Sequence, residues 1–107
     1  MHRTGFTFKI KPELKAEYKK EHDNILPELV STMKSCGIKK YSIFLKENGE
    51  LFAYMDTNVD YEKVMEKLSK LDIRKQWQRK MDKFFIKSSQ TLLGPSKEVL
   101  EEVFHLE

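Results

Sequence analysis

The chain has 107 residues, of which 39% are hydrophobic and 35% charged, and its net charge is +3 at pH 7. This size suits a single domain over residues 1–107, and the balance is that of a folded protein with a modest core rather than a disordered chain. No stretch approaches the roughly 18 apolar residues of a membrane span, and the only cysteine, Cys36, cannot form an intramolecular disulfide. We therefore expect a cytoplasmic protein that does not contact membranes.

The N-terminal third of the chain predicts a strand followed by two helices. Apolar and polar residues alternate from Phe6 to Ile10, which is the period of a strand with one apolar face. Residues from Glu13 to His22 are mostly good helix formers, and Asp23–Asn24 offers N-cap side chains for a second helix with Pro27 in its first turn. Gly37 is the expected end of that helix, because glycine readily adopts the left-handed conformation found there.

A β-hairpin is predicted around the dipeptide Asn48–Gly49, which favours a two-residue type I′ turn. Residues 40–46 and 51–57 should then pair as antiparallel strands. The register predicted from this turn places Leu45 opposite Phe52, Ile43 opposite Tyr54 and Tyr41 opposite Asp56. Both faces of the hairpin carry apolar residues, so we expect helices on one face and a second subunit on the other.

The C-terminal half predicts two helical segments and a last strand. One helix starts after Asp60, and the next segment contains Trp77 in an apolar stripe. The stretch from Ser88 to Ser96 is predicted to be a loop, and Val103 to Leu106 is predicted to be the closing strand. The order βαββαβ predicts an α+β ferredoxin-like sandwich with an antiparallel sheet and helices on one face.

One group of side chains suggests a binding pocket. Tyr18 and His22 are four residues apart and so share one face of the first helix. This helix must cross the sheet near Tyr41, and the segment with Trp77 and Gln78 is placed to close the same space. A histidine, phenolic hydroxyls, an indole and an amide are typical of a sugar site, where aromatic faces pack on C–H groups and polar tips bind hydroxyls.

Other kinds of chemistry have little support in the sequence. The histidines His2, His22 and His105 form no ligand cluster, and no glycine-rich phosphate loop is present, so we expect neither a metal nor another cofactor. The basic helix from Arg74 to Lys83 could meet phosphates, but acidic residues are interleaved along the chain, and we expect no nucleic acid partner. The alternatives left open are a monooxygenase-like enzyme on a dimeric α+β barrel and a non-catalytic sugar- or anion-binding module.

The chain resembles the L-rhamnose mutarotase family over nearly its whole length. The segments that carry the resemblance are Tyr18–Leu29, Tyr41–Leu45, Leu51–Ala53, Trp77–Met81 and Leu100–Leu106. The resemblance implies a homodimer of the dimeric α+β barrel type with a ferredoxin-like fold. It also implies a cofactor-independent isomerase that interconverts the α and β anomers of L-rhamnose or a related 6-deoxyhexose.

The resemblance also implies roles for individual residues. His22 corresponds to the proton donor, and Tyr18 and Tyr41 correspond to substrate-binding residues. Trp77 matches the first member of a tryptophan pair, and Gln78 stands where many relatives carry the second. An amide at that position would bind a hydroxyl rather than stack on the ring, which leaves open which deoxyhexose is preferred.

Overall fold

The computed structural model describes residues 1–85, 90–91, 94–95 and 97–107. In this part of the chain, four helices cover one face of a four-stranded antiparallel sheet. The strands are β1 (His2–Lys9), β2 (Ile38–Leu45), β3 (Glu50–Thr57), the two-residue strands β4 (Gln90–Thr91) and β5 (Gly94–Pro95), and β6 (Glu98–Leu100). The helices are α1 (Lys15–Asp23), α2 (Pro27–Ser35), α3 (Tyr61–Ser69) and α4 (Asp72–Met81).

The main sheet has the strand order β2-β3-β1-β6, with each neighbouring pair antiparallel. This is the order of a ferredoxin-like sandwich, so the predicted fold class is confirmed. The alternation predicted for β1 is also confirmed, since Phe6 and Phe8 are buried under the helices and Thr7 between them is on the opposite face. We call the helix-covered side of the sheet the inner face and the other side the outer face.

The predicted register of the β2–β3 hairpin is wrong by one residue. The turn contains three residues rather than two: the Lys46 amide donates to the Glu50 carbonyl, and the Gly49 amide donates to the Lys46 carbonyl. Gly49 has a φ of +90°, so the turn is of the type I class followed by a left-handed glycine. The observed pairs are therefore Leu45 with Leu51, Ile43 with Ala53 and Tyr41 with Met55.

This one-residue shift changes which side chains share a face, because successive residues of a strand point to opposite sides. Tyr41 lies on the inner face, as a site residue must, but Tyr54 and Asp56 lie on the outer face. The prediction that these two residues share the face of Tyr41 is therefore wrong. The Tyr54 hydroxyl instead donates to the Asp56 carboxylate on the outer face.

The break between α1 and α2 lies just after His22, as predicted, but its capping differs. The side-chain amide of Asn24 donates to the Lys20 carbonyl, 2.9 Å away, and so closes the end of α1 rather than opening α2. Leu26 occupies the N-cap position of α2, with Pro27 as the first helical residue. Gly37, at a φ of +111°, follows the end of α2 as predicted.

The last strand begins earlier than predicted. Residues 98–100 pair with β1, with Glu98 opposite Thr7 and Leu100 opposite Gly5. The predicted strand from Val103 to Leu106 is wrong, because this segment has no regular secondary structure and its side chains are exposed. Most of the predicted loop from Ser88 to Ser96 lies outside the described residues.

The core lies between the inner face and the helices. Its fully buried large side chains include Phe6, Ile10, Leu51, Met55, Val64 and Phe84. None of the helices in the described ranges combines the length and apolar character needed to cross a bilayer.

Candidate active site

A cavity of about 740 Å³ lies between the inner face of the sheet and the helices. Such a volume suits a small organic ligand. Four of the five predicted site residues line this cavity, and these are Tyr18, His22, Tyr41 and Trp77. Aliphatic side chains of α2 and the sheet complete much of the wall, among them Leu29, Met33 and Met55.

Three rings form a cluster at one part of the wall. Tyr18 and His22 lie one turn apart on α1, with ring centroids 4.4 Å apart. The ring of Trp77, on α4, stands perpendicular to the imidazole at 5.3 Å between centroids. A 2.8 Å ion pair between Lys80 and Glu21 helps to hold α4 beside α1. We call Tyr18, His22 and Trp77 the imidazole cluster.

The hydrogen bond made by His22 identifies which of its nitrogens can exchange a proton. Its Nδ1 lies 3.0 Å from the backbone carbonyl oxygen of Tyr18. A carbonyl can only accept, so Nδ1 must carry a hydrogen in both the neutral and the charged ring. Nε2 is therefore the atom that gains or loses a proton, and the ring it belongs to lines the cavity.

The tyrosines of the cavity are hydrogen-bond donors rather than bases. Burial raises the pKa of Tyr18 far above its ordinary value, and the nearby Tyr41 raises it further. Burial of the Tyr41 hydroxyl, assisted by Tyr61 and opposed by Arg74, raises the pKa of Tyr41 to about 12. Tyr41 as a whole is 36% exposed, and it lines the cavity. Both phenols keep their protons at neutral pH.

Gln78 is placed differently from the other predicted site residues. It is not part of the cavity wall: its side-chain oxygen accepts from Arg74 at 2.7 Å, and its nitrogen donates to Asp82 at 3.1 Å. Arg74, one turn earlier on α4, does line the cavity. Gln78 thus reaches the site through Arg74, and its predicted contact with substrate stays a prediction.

Sequence reasoning missed the two partly buried cationic side chains of the cavity, Arg74 and Lys97. Arg74 lies three residues before Trp77 on the same helix, a spacing that places both on one face and could have revealed it. Lys97 precedes β6 and has no such local signal. Its position follows from the pairing of β6 with β1, which places Lys97 beside Phe6 and Phe8.

Comparison with known proteins identifies the family. The sequence model of the L-rhamnose mutarotase family matches residues 3–106. A curated L-rhamnose mutarotase from Mannheimia succiniciproducens is 37% identical over 108 residues, covering 100% of both chains. One from Oceanobacillus iheyensis is 33% identical with the same coverage. The crystal structure of an L-rhamnose mutarotase from Formosa agariphila is 31% identical, covers 100% of both chains and gives a TM-score of 0.84.

A ferredoxin-like α+β protein with an imidazole lining a cavity beside two aromatic rings is the class that the fold and the site define. The chain belongs to the L-rhamnose mutarotase family. The resemblance seen in the sequence is therefore confirmed, and so is the expectation of an isomerase rather than a monooxygenase-like enzyme.

Proposed function

We propose that the chain is a mutarotase that interconverts the α and β anomers of L-rhamnose or a related 6-deoxyhexose. The observation that carries this proposal is the imidazole of His22, which lines the cavity between two aromatic rings while its Nδ1 is held by the Tyr18 carbonyl. Imidazole exchanges protons readily near neutral pH, and mutarotation requires only proton transfers. The names of the relatives support the same reaction.

Ring opening moves two protons. The bond between the anomeric carbon and the ring oxygen breaks as the ring oxygen takes a proton, and the anomeric hydroxyl loses its proton as it becomes the aldehyde. We assign the first transfer to Nε2 of His22 and the second to a water molecule in the cavity. Rotation about the bond from the first to the second carbon turns the other face of the aldehyde to the ring oxygen, and the reverse transfers close the ring.

The neighbouring side chains orient the sugar in this proposal. The indole of Trp77 offers an apolar face for C–H groups of the pyranose. The protonated phenols of Tyr18 and Tyr41 donate hydrogen bonds to its hydroxyls. No step forms a covalent intermediate with the protein, so the site needs one acid/base group and a well-held substrate.

Saturation-transfer NMR across a panel of 6-deoxyhexoses tests this function. We expect the wild-type chain to speed exchange between the two anomeric proton signals of at least one member of the panel above the rate in buffer. Glucose serves as the control sugar that carries a C6 hydroxyl. Exchange at the buffer rate for every deoxyhexose would contradict the proposal.

A homodimer formed through the outer face is part of the proposal. Phe44 and Phe52 lie opposite each other there, 62% and 42% exposed, with ring centroids 6.5 Å apart. The exposed apolar tail of residues 103–106 follows directly after Glu102, which is held to Arg3 of β1 by two hydrogen bonds of 2.8 and 3.0 Å. Exposed apolar side chains of this size on a small protein are typical of an interface.

Replacing Phe44 and Phe52 together by aspartate is expected to convert the dimer to a monomer, because four buried carboxylates would face one another across the twofold axis. Light scattering coupled to size exclusion would show the mass fall by about half. The matched control is Ser31→Asp and Gln76→Asp, which adds the same two carboxylates at exposed positions of α2 and α4, away from the outer face. A wild-type chain that is already monomeric at micromolar concentration would contradict this part of the proposal.

The compartment is the last part of the proposal. We infer a cytoplasmic enzyme, because the chain contains a single cysteine, Cys36, which is buried and free. A reducing compartment is where such a thiol persists.

A further inference from the structure

The cavity has an unbalanced charge. Its walls include five lysine and arginine side chains but, among the described residues, one carboxylate; these are Lys19, Lys34, Lys39, Arg74 and Lys97 against Asp23. Asp23 is exposed and paired with Lys19 at 3.1 Å. Lys19, Lys34 and Lys39 are exposed as well, whereas Arg74 and Lys97 are partly buried. A cleft lined by one sign of charge concentrates ligands of the opposite sign. A neutral sugar does not require this arrangement.

Lys97 is the most unusual of these cations. Its Nζ lies 5.0 Å from the ring centroid of Phe6 and 5.7 Å from that of Phe8, both buried rings of the inner face. Within the described ranges no carboxylate forms an ion pair with it. Burial, and then the charge of Arg74, lower its pKa to about 8. The two rings give the ammonium group a cation–π contact, but no carboxylate of the described ranges compensates its charge where it lines the cavity.

Arg74 shares this part of the wall. Burial lowers its pKa, while Tyr41 and Tyr61 act in the opposite direction. We call Arg74 and Lys97 the cationic end of the cavity, distinct from the imidazole cluster of α1 and α4. The two groups line one cavity, so a ligand that fills it meets an acid/base group and a pair of positive charges.

We propose that the cationic end binds an anionic substituent of the sugar, so that this chain prefers a pyranose carrying a carboxylate or an acidic ester to neutral L-rhamnose. The inference rests on the proposed mutarotase function, since it names the substrate class for the same site. A hydrogen bond from the ammonium group of Lys97 is stronger to an anion than to a hydroxyl, because both partners then carry a charge. The anion in turn compensates the burial of the cation.

Three sugars separate the possible sources of the negative charge. L-Rhamnose is the neutral reference, L-mannuronate replaces its C6 methyl by a carboxylate, and a monosulfate ester of L-rhamnose with a free anomeric hydroxyl carries the charge elsewhere. We expect kcat/KM for anomer exchange to be about tenfold or more higher for one of the two acidic sugars than for L-rhamnose at low salt. A ratio at or below one for both acids would overturn the inference.

Variants at position 97 test the source of this preference. Lys97→Met should lower the ratio of acidic to neutral kcat/KM to near one, whereas Lys97→Arg, which keeps the charge, should retain the preference. Lys75→Met is the control, because it removes a lysine from an exposed position of α4 outside the cavity. A circular dichroism melt checks that each variant is folded. An unchanged ratio in folded Lys97→Met would also overturn the inference.

The preference should depend on pH. An amine with a pKa near 8 loses its charge as the pH rises through that value, so the wild-type ratio is expected to fall between about pH 7 and 9, while that of Lys97→Arg stays level. Among the described residues, the charged group that acts on Lys97 is Arg74 of α4, and β1 contributes the rings of Phe6 and Phe8. The raised pKa of Tyr41 on β2 delays its ionisation beyond this range.

The failure of the inference can be told from the failure of the proposed function. If no sugar exchanges faster than in buffer, the mutarotase proposal fails, and binding still tests the charge preference. Equilibrium binding of the same three sugars by NMR titration should favour an acid in the wild type and lose that preference in Lys97→Met. Exchange of L-rhamnose with equal or weaker binding of both acids would retain the proposed function and reject the inference.

Discussion

Replacing His22 by alanine is expected to lower kcat/KM for anomer exchange by about 100- to 10,000-fold, the usual contribution of a general acid/base group. Of the imidazole and phenol groups that line the cavity, the imidazole is the one able to exchange a proton, since the phenols of Tyr18 and Tyr41 hold theirs tightly. Saturation-transfer NMR at several protein concentrations measures the rate. Stability should change little, because His22 is only half-buried and its hydrogen bond is local.

The controls for this prediction are the other two histidines. His2 and His105 are exposed and lie outside the cavity, so His2→Ala and His105→Ala should retain the wild-type rate. His22→Gln is also informative, because its amide can hydrogen-bond but cannot carry a proton between atoms. If His22→Gln or His22→Ala exchanged anomers at the wild-type rate, the assigned mechanism would be wrong.

The largest expected effect on stability is that of Gly49→Ala, which should destabilise the chain by about 2–4 kcal/mol. The φ of +90° at this position is strained for any residue with a side chain. A Cβ there would also lie 2.4 Å from the Ile10 carbonyl oxygen, which is backbone and cannot rotate away. Chemical denaturation with urea measures the loss, and the thermal midpoint should fall by roughly 10–20 °C.

The matched control for this substitution is Gly5→Ala. Gly5 lies in β1 with no positive φ, and a Cβ at that position would meet the ring of Phe52 at an ordinary 3.7 Å. Its stability should change by less than about 1 kcal/mol in either direction. Equal losses of stability in Gly49→Ala and Gly5→Ala would mean that the geometry of the hairpin turn does not restrict which residue position 49 accepts.

The sequence was most informative where a pattern is local. Alternation in β1 and helical spacing in α1 depend on neighbours within one turn or one strand, and both appear as predicted. The predicted register of the hairpin was wrong, because Asn48–Gly49 is compatible with turns of two or three residues. The β1 pairing adds the missing constraint, since the Ile10 amide donates to the Gly49 carbonyl at 2.9 Å. Ile10 and Gly49 are far apart in the sequence, so the dipeptide alone does not indicate that they are in contact.

The residues of the candidate site show the same difference between local patterns and long-range contacts. Tyr18 and His22 are recognisable from their spacing on one helix, and Trp77 from its apolar stripe. The pairing of β6 with β1 brings Lys97 to the cavity. No pattern in the neighbouring sequence indicates this position. Gln78, predicted from its place beside Trp77, is not part of the cavity wall and contacts Arg74 instead.

The displaced closing strand has a similar explanation. The apolar residues Val103, Phe104 and Leu106 suggested a buried strand, yet within one chain they have no core to cover. Their apolar character fits the proposed subunit contact rather than the fold of the single chain. Amphipathic periodicity does not reveal whether a buried face is covered by the same chain or by a second one.

A crystal structure of the chain with a bound, non-exchanging pyranose, such as a methyl glycoside of the preferred sugar, tests the central claim most directly. The account predicts the ring oxygen within about 3.2 Å of Nε2 of His22, with Nδ1 still hydrogen-bonded to the Tyr18 carbonyl. A sugar bound elsewhere, or bound in the cavity with its ring oxygen turned away from the imidazole, would contradict it.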